Sequence, residues 1–377
     1  MNNIQTNIKN VRTWLVENNL DAIIIPHDDE YLSEYIPPEN ERLAWISNFT
    51  GSAGIAYIGI DNAAIFVDGR YTVQVKQQVD SNIFTIIQLA EIPFLDWLKK
   101  NISDNASIAY DPRLHRVNWI KNAQKALANK VTLQSIQANP IDIFWTDRPQ
   151  AVTDKAFLLD EKYTGKNSQD KREELGKIIN NNNCHGAFLT KLDSIAWLLN
   201  IRGNDVPCNP VLLCHAILYT SGALDLFINE NKIPEGFHEH VGPNVQVFSP
   251  KSIENKIKEL SGKTIQLDFN SSNVWSKDLL ELAKANVIEK EDPCTMPKAC
   301  KNNIEVQGMK NCHIRDAIAV CNFLSWLDTN VNAGNLYDEG VLADKLDAYR
   351  ASLDDFRGIS FGTISAAGKN AAMCHYS

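Results

Sequence analysis

One short pattern occurs twice in this chain. Ile195-Ala-Trp-Leu-Leu-Asn-Ile-Arg-Gly203 matches Leu43-Ala-Trp-Ile-Ser-Asn-Phe-Thr-Gly51 at Ala, Trp, Asn and Gly. The surroundings repeat as well. Before the first copy, Asn7 to Asn18 carries Ile8, Val11 and Leu15 at helical spacing and closes on Asn18-Asn19, a C-cap signal. Asp21-Ala-Ile-Ile-Ile-Pro26 then reads as a buried strand, and Glu39 to Ser47 as a helix. After the copy, Ile55–Ile60 and Ala63–Asp68 flank the turn Asp61-Asn62 as a hairpin. The second copy has a helix (Ser168 to Asn180), a strand (His185 to Thr190), the shared pattern, and a hairpin from Val211–Tyr219 to Leu224–Ile228. Shared residues at fixed offsets, inside one order of elements, predict two copies of an α/β domain. Trp45 and Trp197 read as core anchors, and Asn48 and Asn200 as residues that satisfy backbone at a helix end.

The first copy continues with helices at Tyr71–Val79, Ile92–Lys100 and Arg116–Asn129, and strands at Ile83–Ile87 and Ser107–Tyr110. Turn chemistry around Pro140 and Asp147-Arg-Pro149 leads to an expected boundary near Lys162, and Asp292-Pro293 to Pro297 punctuates the second copy. The expected units are 1–162, 163–296 and 297–377. The third opens on the strongest helix pattern, Asn303 to Asp328, with Ile304, Cys312, Ile318, Cys321 and Leu324 in its apolar stripe. A helix over Leu336–Leu353 follows, then a strand over Ile359–Ile364, a loop of small residues, and a strand-like run carrying His375 and Tyr376. Two helices and two strands are too little for an independent core, so the third unit is expected to be the front of a longer domain.

Composition narrows the functions. Of 377 residues 44% are hydrophobic and 22% charged, as in a globular protein with a real core. A net charge of −9 without a Lys/Arg cluster argues against nucleic-acid or anionic-membrane binding. The opening Met1-Asn-Asn-Ile-Gln has no apolar signal region, and no window approaches the roughly 18 apolar residues of a membrane helix, so a cytoplasmic location is expected. The eight cysteines include no Cys-x-x-Cys; Cys184, Cys214, Cys312 and Cys321 are expected to be small buried hydrophobes. No phosphate-binding glycine loop, dinucleotide fingerprint, nucleophile elbow or His-Glu-x-x-His is present. His238-Glu-His240 reads as a solvated loop, and Asp28-Asp29-Glu30 as a solvated acidic turn.

Two side chains remain as candidates. Arg70 follows a buried strand and a glycine, where a guanidinium either forks onto a substrate carbonyl or carboxylate or pairs locally with Asp68 or Glu41. His375, at the end of a strand past small residues, is either a substrate-binding or proton-transferring imidazole or a structural one. The second copy ends its hairpin in Phe227-Ile-Asn-Glu230, so only the first carries the arginine.

Several segments together resemble a known family. Ser33-Glu-Tyr35, Trp45-Ile-Ser-Asn-Phe-Thr-Gly-Ser-Ala-Gly54, Asp68-Gly-Arg-Tyr71, Trp145-Thr-Asp-Arg-Pro149 and Tyr163-Thr-Gly165 resemble the N-terminal half of the long, three-domain aminopeptidase P proteins. So do Leu192 to Gly203, Asn209-Pro-Val211, Gly308 to Ala317, and Ser360 to Ser365 with His375-Tyr376. The resemblance implies two creatinase-like α/β domains followed by the first part of a pita-bread catalytic domain. It implies Xaa-Pro aminopeptidase activity on peptides with proline second, through a water activated by two metal ions, usually manganese. Arg70 matches the arginine that reaches the active site, and His375 the histidine that contacts substrate. The family's metal ligands, two Asp, one His and two Glu, would all lie beyond Ser377, so this chain is expected to bind no metal and to be inactive alone. A homodimer is also implied. Gly362 stands where the family has proline and Tyr31 where it has histidine, which removes any imidazole contact from that position. Two other readings are a metal-free creatinase, against which the repeat argues, and a non-catalytic peptide- or protein-binding module of the same fold.

Overall fold

The computed structural model describes residues 4–128 and 130–376. Asn129, the last residue of the helix expected from Arg116, lies outside them, as do Met1–Asn3 and Ser377.

Isoleucine, valine and aromatic residues dominate the short runs that become strands, because branched side chains pack well on a pleated surface. In the first unit these are β1 (Ala22–Pro26), β2 (Gly54–Gly59), β3 (Ala63–Val67), β4 (Thr85–Gln88), β5 (Ala106–Tyr110) and β6 (Val131–Ser135). They form one sheet in the order β4-β3-β2-β1-β5-β6. Strands β1, β2 and β3 pair antiparallel, while β3–β4, β1–β5 and β5–β6 are parallel. Both faces are covered, so alternate residues enter different cores. Ile23, Ile25, Ile58, Ile65 and Val67 pack on one side with Ile8, Val11 and Leu15 of the helix Ile4–Glu17. Ile24, Tyr57, Ala64 and Phe66 pack on the other with Phe94, Trp97 and Leu98 of the helix Phe94–Asn101.

The second unit contains β7 (Phe157–Leu158), β8 (Gly186–Leu189), β9 (Ile201–Arg202), β10 (His215–Tyr219), β11 (Leu224–Phe227), β12 (Val245–Phe248), β13 (Thr264–Leu267) and β14 (Asn286–Glu289). Its main sheet runs β12-β11-β10-β8-β13-β14, and the senses of pairing reproduce those of the first sheet strand for strand. The short β7 pairs with β9, and Ala156 already lies in the second unit's core. The repeated asparagines have the role expected of them. Asn48 and Asn200 end their helices in the left-handed region, at φ 64° and 53°, a conformation that asparagine tolerates better than most residues. Trp45 is buried and stacks on Trp145. Trp197 is only half-buried, under the Lys171 ammonium.

The two units meet through matching loops, those after β5 and β13. Arg116 and Asn273 form an antiparallel bridge between them. Around it, Val117 N–H donates to Ser272 O while Val274 N–H donates to His115 O. One turn further on, Asn118 N–H donates to Phe269 O while Trp275 N–H donates to Pro112 O. Each bond has its mirror, which is the signature of an isologous contact. The two domains sit against each other like protomers of a dimer on one chain.

Beyond them, the helix Asn303–Asn332 starts on a capping box of Asn302 and Glu305. The helix Glu339–Ala351 folds back along it, with Lys345 over Trp326 and Arg350 paired to Asp316 at 2.7 Å. Among the described residues of the long helix only Ala319 is buried.

Three expectations change here. Residues 359–364 and the run to Tyr376 form no strand; Thr363 instead donates to Asp347, and Asn370 to Glu339 on the preceding helix. A strand is made by its neighbour, and none lies beside this segment. Cys184 and Cys214 are buried as expected, but Cys312 and Cys321 are exposed, because nothing in the described chain covers their stripe. The acidic run Asp28-Asp29-Glu30 is a tie between elements, not a solvated turn. Asp28 pairs with Arg116, Glu30 with the buried Arg42, and buried Asp29 accepts from Asn40 and from Tyr31 N–H. A three-residue acidic run carries no information about these distant partners.

Candidate functional site

The carboxyl ends of β1, β3, β4 and β5 and the start of antiparallel β2 lie at one edge of the first sheet, where open α/β sheets form their clefts. A cavity of about 560 Å³ opens there, between Pro26 and His27 after β1, Ser52 to Ile55, Arg70, and Leu114 to Arg116.

Arg70 reaches this cavity because of a tight turn. Asp68 caps the turn Gly69–Tyr71, its carboxylate accepting the Arg70 N–H at 2.9 Å. The same carboxylate takes the Arg70 guanidinium at 2.6 Å. Hydrogen bonding to the guanidinium and the backbone N–H holds the Asp68 carboxyl below its ordinary range. The local ion pair with Asp68 is therefore present, whereas Glu41 is not its partner. With 38% of the Arg70 side chain exposed, the pair is screened and the guanidinium remains open to a ligand.

Tyr71 joins the two candidates. Its ring is buried edge-on against Phe49, and its hydroxyl lies 2.7 Å from Ser52 Oγ and 3.4 Å from His375 Nδ1. The His375 ring stands 5.4 Å from the Tyr71 ring, and the Arg70 guanidinium lies 5.2 Å from the same ring. Arg70 and His375, 305 positions apart, thus converge on one phenol. Tyr71 was not singled out in the sequence, although it closes the Asp68-Gly-Arg-Tyr71 motif.

Two imidazoles deepen the cavity. His27 is buried, with Nε2 3.3 Å from Glu34 O, and burial pushes its pKa down. His115 donates from Nδ1 to Asp111 O at 2.9 Å, and burial pushes it down to about 4. Its Nε2 has no partner among the described residues. Both rings are neutral at pH 7, and the guanidiniums of Arg70 and Arg116 are the cations of the cavity. Such a set can bind the carbonyls and carboxylate of a peptide.

No three His, Cys, Asp or Glu side chains come together as ligands among the described residues. His238 and His240 sit on the short helix Phe237–Val241 rather than in an open loop, with His240 Nε2 3.0 Å from Asn200 O. No described helix is long and apolar enough to cross a membrane.

Comparison with known proteins places this geometry. Residues 7–143 match the creatinase/prolidase N-terminal domain family, and residues 147–305 match a second family of the same description. A probable Xaa-Pro aminopeptidase P of Pyrenophora teres f. teres is 34% identical over 97% of this chain and 58% of its own length. A protein of the same name from Laccaria bicolor is 34% identical over 99% of this chain and 59% of its own. The chain therefore spans under two thirds of the curated relatives it matches. The crystal structure of an X-prolyl aminopeptidase from Caenorhabditis elegans, a cytosolic enzyme with a di-nuclear active site, superposes over 100% of this chain and 64% of its own, with a TM-score of 0.93 at 29% identity.

Proposed function

Because this chain belongs to the Xaa-Pro aminopeptidase P family, we propose that it carries the substrate-contacting part of an enzyme that removes the residue preceding proline at a peptide N-terminus. The convergence of Arg70 and His375 on Tyr71 supports this reading most directly. It brings a side chain of the first creatinase-type domain against the third unit, at the mouth of a cleft of peptide size. Arg70 binds a peptide carbonyl or carboxylate by a two-pronged hydrogen bond, and His375 contacts the chain beside the proline.

The metal chemistry of such an enzyme would be supplied by two ions, manganese in this reading. The described residues assemble no ligand set for them, so no catalytic step is assigned to this chain. Cytoplasmic location and a homodimer belong to the same proposal, the former supported by the cytosolic nematode neighbour. The pairing of β7 with β9 favours a domain junction between Phe144 and Ala156, ahead of Lys162, with the second junction near Pro297.

The test is peptide binding followed by NMR on the 377-residue chain. A tripeptide with proline second is expected to perturb Arg70, Tyr71 and His375, and Arg70→Ala to weaken binding about tenfold, the loss of one charge-assisted contact. Equal binding of the peptide with alanine second, or perturbations only elsewhere, would overturn the reading.

A further inference from the structure

We propose that the cleft between the second domain and the helix Asn303–Asn332 binds an oxyanion of the phosphate class. The cleft encloses about 510 Å³ and is built from both sides, with Lys171 and Arg202 on the domain and Lys301 and Arg315 on the third unit. Lys162 adds a fifth cation, against the carboxylates of Glu305 and Asp355. Five positive and two negative groups leave a local charge of +3, in a chain whose net charge is −9.

Four of these cations lack a paired carboxylate, while Lys162 meets Asp160 at 4.0 Å. The buried Lys171 ammonium donates to Trp197 O at 2.9 Å and Asn200 Oδ1 at 2.6 Å and lies 4.4 Å from the Trp197 ring, all neutral partners. Arg202 donates to the carbonyls of Ala196 and Ile201. Among the described residues, Lys171, Arg202, Lys301 and Arg315 have no carboxylate within 4.0 Å, while their neighbours Lys166 and Arg350 are paired. Glu305 is occupied at the helix start, accepting the Asn302 N–H at 2.9 Å. Desolvation lowers Lys171 to about 8, with the Glu305 carboxylate opposing the shift and Arg202 and Lys166 adding to it.

Lys171 is buried and Arg202 and Arg315 are half-buried, and such cations facing one cleft repel each other unless an anion enters. The cleft is also held in place: Asn302 donates to Thr164 O at 2.8 Å, and a Cβ on Gly165 would fall 2.6 Å from Asn302 Oδ1. Donors diverging from two bodies suit a tetrahedral oxyanion better than a flat carboxylate. A bound oxyanion would tie the tandem domains to the third unit, away from Arg70 and His375.

The experiment is thermal unfolding of the 377-residue chain in inorganic phosphate against sodium chloride at equal ionic strength, with ³¹P line broadening as a second readout. A saturable rise in Tm is expected. Arg202→Gln should weaken binding about tenfold, as should the pair Lys301→Gln and Arg315→Gln, which lies on the rim and leaves the second domain's core untouched. A rise that does not saturate, or one that persists unchanged in the Lys301/Arg315 double variant, would overturn the proposal.

Discussion

The first and second domains share a sheet, a sequence of elements and the loops by which they touch, yet they treat the turn after their third strand differently. In the first, Asp68 caps Gly69–Tyr71; in the second, Asn229 caps Glu230–Lys232 in the same way. Arg70 then corresponds to Asn231, and Tyr71 to Lys232. Tyr71 meets Ser52 and His375 at the cleft, whereas Lys232 is buried on Asp205 at 2.5 Å. One copy turns its arginine toward a cleft and the other turns its lysine toward its own core. Duplication leaves the scaffold intact because burial and pairing fix it, and frees a turn that neither core requires.

Substitution at these equivalent positions separates the two roles. The largest effect is expected from Lys232→Met, which strands the buried Asp205 carboxylate with only the Leu213 N–H. Urea unfolding should show a loss of about 3–5 kcal/mol. Tyr71→Phe, at the matching position, should cost about 1 kcal/mol, the worth of one hydrogen bond. Comparable losses would mean that the two turns do the same job.

Acid comes next. Burial lowers both His115, in the first domain, and His215, stacked between Tyr31 and Phe188 in the second, to about 4. A histidine depressed from about 6.5 contributes stability above that value and loses it as pH falls toward 4, on the order of 3 kcal/mol each. Asp29, raised to about 6 by burial, has the opposite sign: its contribution is present at low pH and lost as pH rises through 6. Glu41, raised to about 7 by burial, has the same sign as Asp29, and together they offset the two histidines, so urea midpoints should change little from pH 6.5 to 4. His215→Phe removes one opposing ring, so its midpoint should rise as pH falls over that range, and a midpoint that stays flat would count against a buried neutral ring.

The paired asparagines give a smaller contrast. Asn200 is buried and holds Lys171 and Lys166 O, while Asn48 is exposed and donates to Gln78 O. Asn200→Ala should cost about 2–3 kcal/mol and Asn48→Ala about 1. The smallest change in stability belongs to Arg70→Ala, within about 0.5 kcal/mol because its ion pair is exposed. Its peptide binding should drop, while Asn231→Ala should alter neither property.

Much of this architecture is legible in the sequence. The repeat, the first hairpin, the asparagine caps and the long helix Asn303–Asn332 all follow from local pattern and turn chemistry. Strands β6, β12 and β14 escaped because short outer strands with polar residues lack a strong period, and the interior β13 because four residues are too short a run to show one. The repeat itself could have located two of them, since β12 and β13 stand where β4 and β5 stand in the first copy.

By itself the sequence determined that there would be two like domains and that an arginine would follow the third strand of only one. These properties depend on spacing along a few residues, which the chain carries wherever it goes. Only the tertiary structure decided that His375 would stand against Tyr71, that Asp28, Asp29 and Glu30 would be claimed by Arg116, Asn40 and Arg42, and that the closing segment would dock on a helix instead of entering a sheet. Each depends on which partner lies within a few ångströms, and that is set by folding hundreds of residues together. The Asp68-Gly-Arg-Tyr71 turn shows both: its shape is written in four residues, and its ring waits for a histidine from the far end of the chain.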